Sequence, residues 1–256
     1  MASPEVEKKG GLSRREWLRL GAAFGVGAVA GGLAAYELAR LLGPPATVAG
    51  EVRDTIYRTH SEGNSLVVGA PVRVTDFQEW QGGSGIWRGV FVPTASGASY
   101  VEGSGLPVVA IRVKRDDAVF SAPPPTEVPL PTGFGLFYDD PSRDLRIVVL
   151  FQRCTHLCCK ANWHATPVLA GERDYLLRPP TYDVFGQDPI FCSCHSAQWD
   201  PMVLVKDVHP NGARYVGAQV VHGPASRALP IVPVRADADV LIGGMADPAW
   251  YTSYCQ

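Results

Sequence analysis

Helix-period segments are scarce in this chain beyond its N-terminus, and that scarcity sets the fold class. The 256 residues include 27 Gly and 22 Pro, which cut the chain into short pieces bounded by turns. Net charge is only −2 and no basic patch stands out, so nothing points to a nucleic-acid partner. No internal repeat is visible, and no low-complexity tract beyond one proline run, which excludes solenoids and arrays. Cysteine is sparse as well, six in all, yet five of the six fall in two short boxes. The length suits one medium domain plus extras, large enough to bury a core.

The boxes are Cys154-Thr-His156-Leu-Cys158-Cys159 and Cys192-Ser-Cys194-His195. Each offers a thiolate and an imidazole, so two loop tips can hold a metal centre with two sulfur and two nitrogen ligands. A Cys2His2 zinc site draws on the same inventory, but its usual spacing sets two Cys together and then two His. Here the order is Cys, His, Cys, His, and extra Cys stand inside the boxes where a zinc site has no use for them.

Cys-x-His-x-x-Cys followed by Cys-x-Cys-His resembles the Rieske iron–sulfur family. The resemblance implies a [2Fe–2S] cluster with Cys154 and Cys192 on one iron and His156 and His195 on the other. Replacing thiolates by imidazoles raises the potential. It also implies a Cys159–Cys194 disulfide clamping the two loops, and Gly223-Pro224-Ala225 resembles the family's third, proline loop. The implied fold is all-β, a Rieske-type antiparallel β-sandwich with an inserted cluster-binding subdomain at about 151–230, preceded by one N-terminal transmembrane helix.

The N-terminus reads in the same direction. Lys8, Lys9, Arg14, Arg15 and Arg19 give residues 1–19 a basic surplus and leave the remainder acidic. Gly21 to Tyr36 is uncharged, and Leu18 to Leu42 carries only Arg19, Glu37 and Arg40. About 20 residues cross the hydrocarbon core, so a single span is expected at 20–42 with the tail inside. Glu37 and Arg40, three apart, share a helix face near its outer end. Ser13-Arg14-Arg15-Glu16-Trp17-Leu18 looks like a twin-arginine export signal, which delivers proteins already folded around a cofactor. Ala28-Val29-Ala30 offers a cleavage site, but apolar residues continue to Leu42, so an uncleaved anchor is expected. Residues 43–50, with Pro44-Pro45 between Gly43 and Gly50, read as a hinge linker.

The resemblance implies a Rieske domain over 51–256, carried by motifs in 145–230 and by general strand pattern alone in 51–144. Strands are expected at Leu66–Val68, Val72–Val74, Val90–Val92, Val108–Val113 and Leu145–Phe151, the last running into the first box. Pro189–Phe191 enters the second box. Met202–Val205 and Tyr215–Val221 form a meander turning at Asn211-Gly212, and Ile231–Val234 with Val240–Ile242 completes the sheets. The loop holding Pro123–Pro125, Pro129 and Pro131 is expected to be a surface insertion. His60, His164, His209 and His222 read as surface or structural residues rather than ligands.

The chain departs from the family at three places. Family hydroxyls that donate to cluster sulfur fall on Ala197 and Trp199, which lowers the expected potential, while Ser196 can slip into one of those roles. Cys158 stands where the family has Gly. Either the turn tolerates a side chain or its backbone is not left-handed. Cys158 and Cys255 remain, as a second disulfide or as two free thiols.

The resemblance therefore implies the electron-transfer subunit of a bc-type quinol–cytochrome oxidoreductase. Its partners would be quinol, a cytochrome b-type membrane subunit, a cytochrome acceptor and membrane lipid, with the cluster domain on the outer face. The alternative is the small Rieske subunit of an arsenite-oxidase-like molybdenum enzyme, whose chains are typically shorter. A soluble Rieske ferredoxin or oxygenase component would lack the second Cys pair and the anchor.

Overall fold

The computed structural model describes residues 50–59, 69–94, 97–128, 130–163, 181 and 190–244. The chain divides into two units, 1–49 and 50–256. The first unit, with the expected tail, membrane span and most of the hinge, lies outside the described residues. No α-helix occurs among the described residues, and hence none there is long and apolar enough to cross a membrane.

The second unit is built from short strands. They are β1 (Glu51–Arg53), β2 (Tyr57–Arg58), β3 (Gly82–Trp87), β4 (Gly89–Thr94), β5 (Gly97–Tyr100), β6 (Leu106–Val113), β7 (Tyr138–Asp140) and β8 (Leu145–Phe151). After the first box come β9 (Asn162–Trp163), β10 (Ile190–Cys192), β11 (Ala197–Val208), β12 (Arg214–His222), β13 (Leu229–Pro230), β14 (Val234–Asp237) and β15 (Val240–Gly243). All the named strands pair antiparallel. One five-stranded sheet runs β2-β3-β6-β8-β7, and a second runs β13-β12-β11-β10-β9. Strands β9–β13 thus form a sheet of their own.

The seven residues of β8 are all buried because both faces of the strand are covered. Side chains alternate across a strand, so its residues divide between two cores. Val148 and Leu150, with Val109 and Ile111 of β6, face the core shared with β9–β13. Ile147, Val149 and Phe151, with Val108 and Ala110, face a second core that holds Val72, Phe77, Trp87 and Leu241. Each such aliphatic side chain contributes roughly 1.5–3 kcal/mol when fully buried. The buried Arg146 of β8 donates to Asp139 at 2.9 Å and to Asp117 at 2.8 Å, and lies 4.2 Å over the Phe120 ring. Its charge is compensated on one face and covered by an aromatic face on the other.

One expectation is corrected and one refined. The proline run is exposed at Pro124–Glu127, as a surface insertion is, and its flanks are strapped to the core. Phe120, Ala122, Val128 and Leu130 pack on the first core. The Ser121 N–H donates to the Met202 carbonyl at 2.9 Å, and its carbonyl accepts from Leu204 N–H at 2.7 Å. Val72–Val74 is not a strand. The Asp76 carboxylate accepts the Arg73 N–H at 2.7 Å and winds Val74–Asp76 into a 3₁₀ turn. Leu66–Val68 lies outside the described residues.

Candidate metal centre

The first box leaves the end of β8, and the second forms the turn of the β10–β11 hairpin, in which Cys192 pairs with Ala197. The two loops share one backbone form. The Cys158 N–H donates to the Cys154 carbonyl at 2.9 Å, and the Ser196 N–H donates to the Cys192 carbonyl at 2.9 Å. The residue closing each turn is left-handed, Cys158 at φ 58° and Ser196 at φ 62°. The question left open at Cys158 is thereby answered: the turn is left-handed and carries a side chain. Within each turn the backbone points N–H groups at the leading sulfur. His156 and Leu157 donate to Cys154, and Cys194 and His195 donate to Cys192.

Cys154 and Cys192 are buried free thiols, and their sulfurs hydrogen-bond to one another. One proton therefore leaves the pair easily and the other late. The Cys154 hydrogen bond, opposed by burial and aided by the backbone N–H groups, draws Cys192 down to about 6. The same hydrogen bond, with burial, drives Cys154 upward. The imidazoles of His156 and His195 meet edge to face with ring centroids 4.8 Å apart, and both residues are exposed. Leu157 beside them is 62% exposed. The sulfurs lie inward and the imidazoles at the rim.

Cys159 and Cys194 form a disulfide that joins the two loops. Their sulfurs and that of Cys192 lie within 4.8 Å of one another, a sulfur-rich point of the kind that can hold a metal ion. Two of those three sulfurs are bonded to each other, so in the oxidised protein free sulfur ligands come from Cys154 and Cys192. Cys158 is itself disulfide-bonded, while Cys255 lies outside the described residues. The donor set fits a centre with two thiolates and two imidazoles. Backbone N–H donors to both sulfurs favour the thiolate form, and Cys192, drawn down by its hydrogen bond with Cys154, gives up the first proton of the pair.

The third loop closes on both boxes. The Arg227 carbonyl accepts from Thr155 Oγ1 at 2.8 Å and from the Trp199 indole N–H at 3.1 Å, and its guanidinium donates to the Thr155 carbonyl at 3.1 Å. Gly223, at φ +82°, presses so closely that a Cβ there would lie 2.6 Å from Ala197 Cα. Sequence reasoning placed Gly223-Pro224-Ala225 over the site but missed Arg227, which acts mainly through its backbone carbonyl and so leaves no residue-type signal. It also left the Trp199 indole without a partner. In the structure its N–H is spent on Arg227 and not on the thiols. Among the other histidines, His209 and His222 are buried, and His60 and His164 lie outside the described residues. No protein-family model and no curated protein matches this chain.

Proposed function

We propose that the chain is a membrane-anchored Rieske-type electron-transfer subunit of a quinol–cytochrome oxidoreductase. Cys154 and Cys192 would hold one iron of a [2Fe–2S] cluster, and His156 and His195 the other. The observation that supports this reading is how the four residues pair. A single-ion site asks four ligands to converge on one point, whereas a two-iron centre of this type asks for a sulfur pair and an imidazole pair. Cys154 touches Cys192 and His156 touches His195.

When bound, such a centre supplies one-electron exchange at a raised potential. The chain's own residues do the rest. The backbone N–H groups of both turns would donate to the two sulfurs once a metal held them as thiolates, and the disulfide with the Arg227 junction fixes the loops around them. The exposed imidazoles can receive a quinol hydroxyl, and the ring nitrogen not engaged by metal takes its proton. Buried Cys154 and Cys192 are kept from water by Trp199, Ala225 and the third loop. Membrane anchorage, the cytochrome b-type subunit and the cytochrome acceptor follow from the N-terminal pattern and the family resemblance.

Iron and acid-labile sulfide measured in native protein should be equimolar, with two of each per chain. The reduced protein should give a Rieske-type paramagnetic resonance spectrum that is lost in Cys154→Ala, His156→Ala, Cys192→Ala and His195→Ala. Stoichiometric zinc without iron would overturn the proposal. Purification with a cytochrome b subunit would support the bc-type assignment, and a molybdopterin partner would redirect it.

A further inference from the structure

Both metal-side turns end on a left-handed residue that has a side chain, a conformation such residues rarely adopt unless something holds them there. Cys158 is held by its disulfide. Ser196 has no covalent restraint. Its carbonyl instead meets Nδ1 of His222, on neighbouring strand β12, at 2.7 Å. A carbonyl only accepts, so Nδ1 carries the hydrogen and the tautomer is fixed by the contact. His222 is 2% exposed and sits opposite Gln198 in the strand pairing. Gly223 beside it is wedged against Ser196 and Ala197.

We propose that His222 is a positioning residue: its Nδ1–H holds Ser196 left-handed and thereby sets the direction in which His195, the preceding residue, presents its imidazole. The proposal rests on the two-iron reading for its consequence, but the hold on the turn stands without it. The Ser196 N–H closes the turn on the Cys192 carbonyl, so Ser196 joins the backbone of Cys192, that of His195 and the ring of His222. Releasing the carbonyl lets Ser196 leave the left-handed region, and both His195 and the N–H donors to Cys192 move with it.

Three substitutions at 222 separate a donor from a space-filler. Asn places its amide nitrogen near the position of Nδ1, Gln places it near that of Nε2, and Phe fills the volume without a donor. Two readouts are taken on the full chain in detergent. One is amide hydrogen exchange of the 192–198 peptide, which needs no cluster. The other is the midpoint potential together with the rate of cluster bleaching by a chelator. His222→Phe and His222→Gln should exchange about tenfold faster, the scale of a lost carbonyl partner, bleach faster and shift the potential. His222→Asn should stay close to wild type on all counts.

A further variant tests the reason. Ser196→Gly removes the cost of the left-handed turn, so in that background His222→Phe should lose most of its effect. The proposal is overturned if Asn fails where Gln succeeds, if Phe leaves exchange unchanged, or if its effect is as large in the Ser196→Gly background. If His222→Phe does not fold, the Asn–Gln comparison decides. If wild-type protein holds zinc and no iron, the two-iron reading falls while the exchange measurements still decide the role of His222. A potential shift separates positioning of His195 from general support of the sheet, which would alter unfolding alone.

Discussion

Replacing Cys159 and Cys194 together by Ala removes the one described bond that links the boxes covalently. Their separation of 35 residues fixes the size of the effect. Closing a loop of that length removes about 13 cal/mol/K of chain entropy from the unfolded state, about 4 kcal/mol at 25 °C. Packing adds little, because Cys194 is exposed and Cys159 half-buried. Guanidinium unfolding of the metal-free protein, followed by tryptophan fluorescence, should therefore show a stability loss near that value. The dependence on denaturant should steepen, since an uncrosslinked unfolded chain exposes more surface. Metal-free protein is the right sample because bound metal adds its own linkage to folding. A loss below about 1 kcal/mol with an unchanged slope would refute the loop-closure reasoning. It would mean that the two loops are held by their neighbours and not by their crosslink.

Gly223→Ala should cost about 1–3 kcal/mol in thermal unfolding, because its Cβ meets backbone of Ser196 and Ala197 rather than a movable side chain; an unaltered melting curve would contradict the close approach. Asp140 accepts from Ser142 and Arg143, which holds its carboxyl at about 2 against an ordinary 3.8. A depressed carboxylate stabilises above its unfolded value and loses that contribution as pH falls through the folded one. Wild type should therefore lose more stability than Asp140→Asn between about pH 4 and 2, read from melting temperature against pH. With Ala197 lacking a donor and the Trp199 N–H bound to Arg227, the midpoint potential should lie below about +300 mV. Ala197→Ser should raise it by on the order of 40 mV, about 1 kcal/mol for one electron; no change on voltammetry would show that the hydroxyl does not reach the sulfur. Changing Arg14-Arg15 to Lys-Lys should leave the cluster domain inside the cell, and protease accessibility of the outer face reads this directly.

What the sequence made legible is what local chemistry writes plainly. Leu145–Phe151 reads as a strand residue for residue because every position is apolar or β-forming apart from Arg146, and Asn211-Gly212 turns where Gly212 takes φ 88°. The spacing of the boxes reads as a metal-ligand pattern, and the structure gathers the sulfurs of Cys159, Cys192 and Cys194. What stayed hidden depends on partners distant in sequence. Gly82-Gly-Ser-Gly85 resembles a loop but forms β3, because its glycines let neighbouring strands approach: a Cβ on Gly82 would lie 2.8 Å from the Ala110 carbonyl oxygen, and one on Gly85 2.8 Å from that of Tyr57. The proline strap has no period to betray which of its side chains turn inward. At Cys158 the sequence leaves two backbones open, and the fold takes the left-handed one. His222 was read as structural, and its partner, the carbonyl of Ser196, is a group that every residue carries.

The division of β8 between two cores has a bearing on portability. Residues 154 to 195 contain both boxes and look like a cassette to be lifted into another scaffold. The strand that delivers the first box has alternate side chains anchored in opposite cores, Val148 and Leu150 in one and Ile147, Val149 and Phe151 in the other. The second box leans on a third loop well downstream, and its own strand is stitched to Ser121 far upstream. A transplant of the cassette alone would carry the two boxes and leave behind the contacts that position them. A transferable unit must also carry both cores that hold β8.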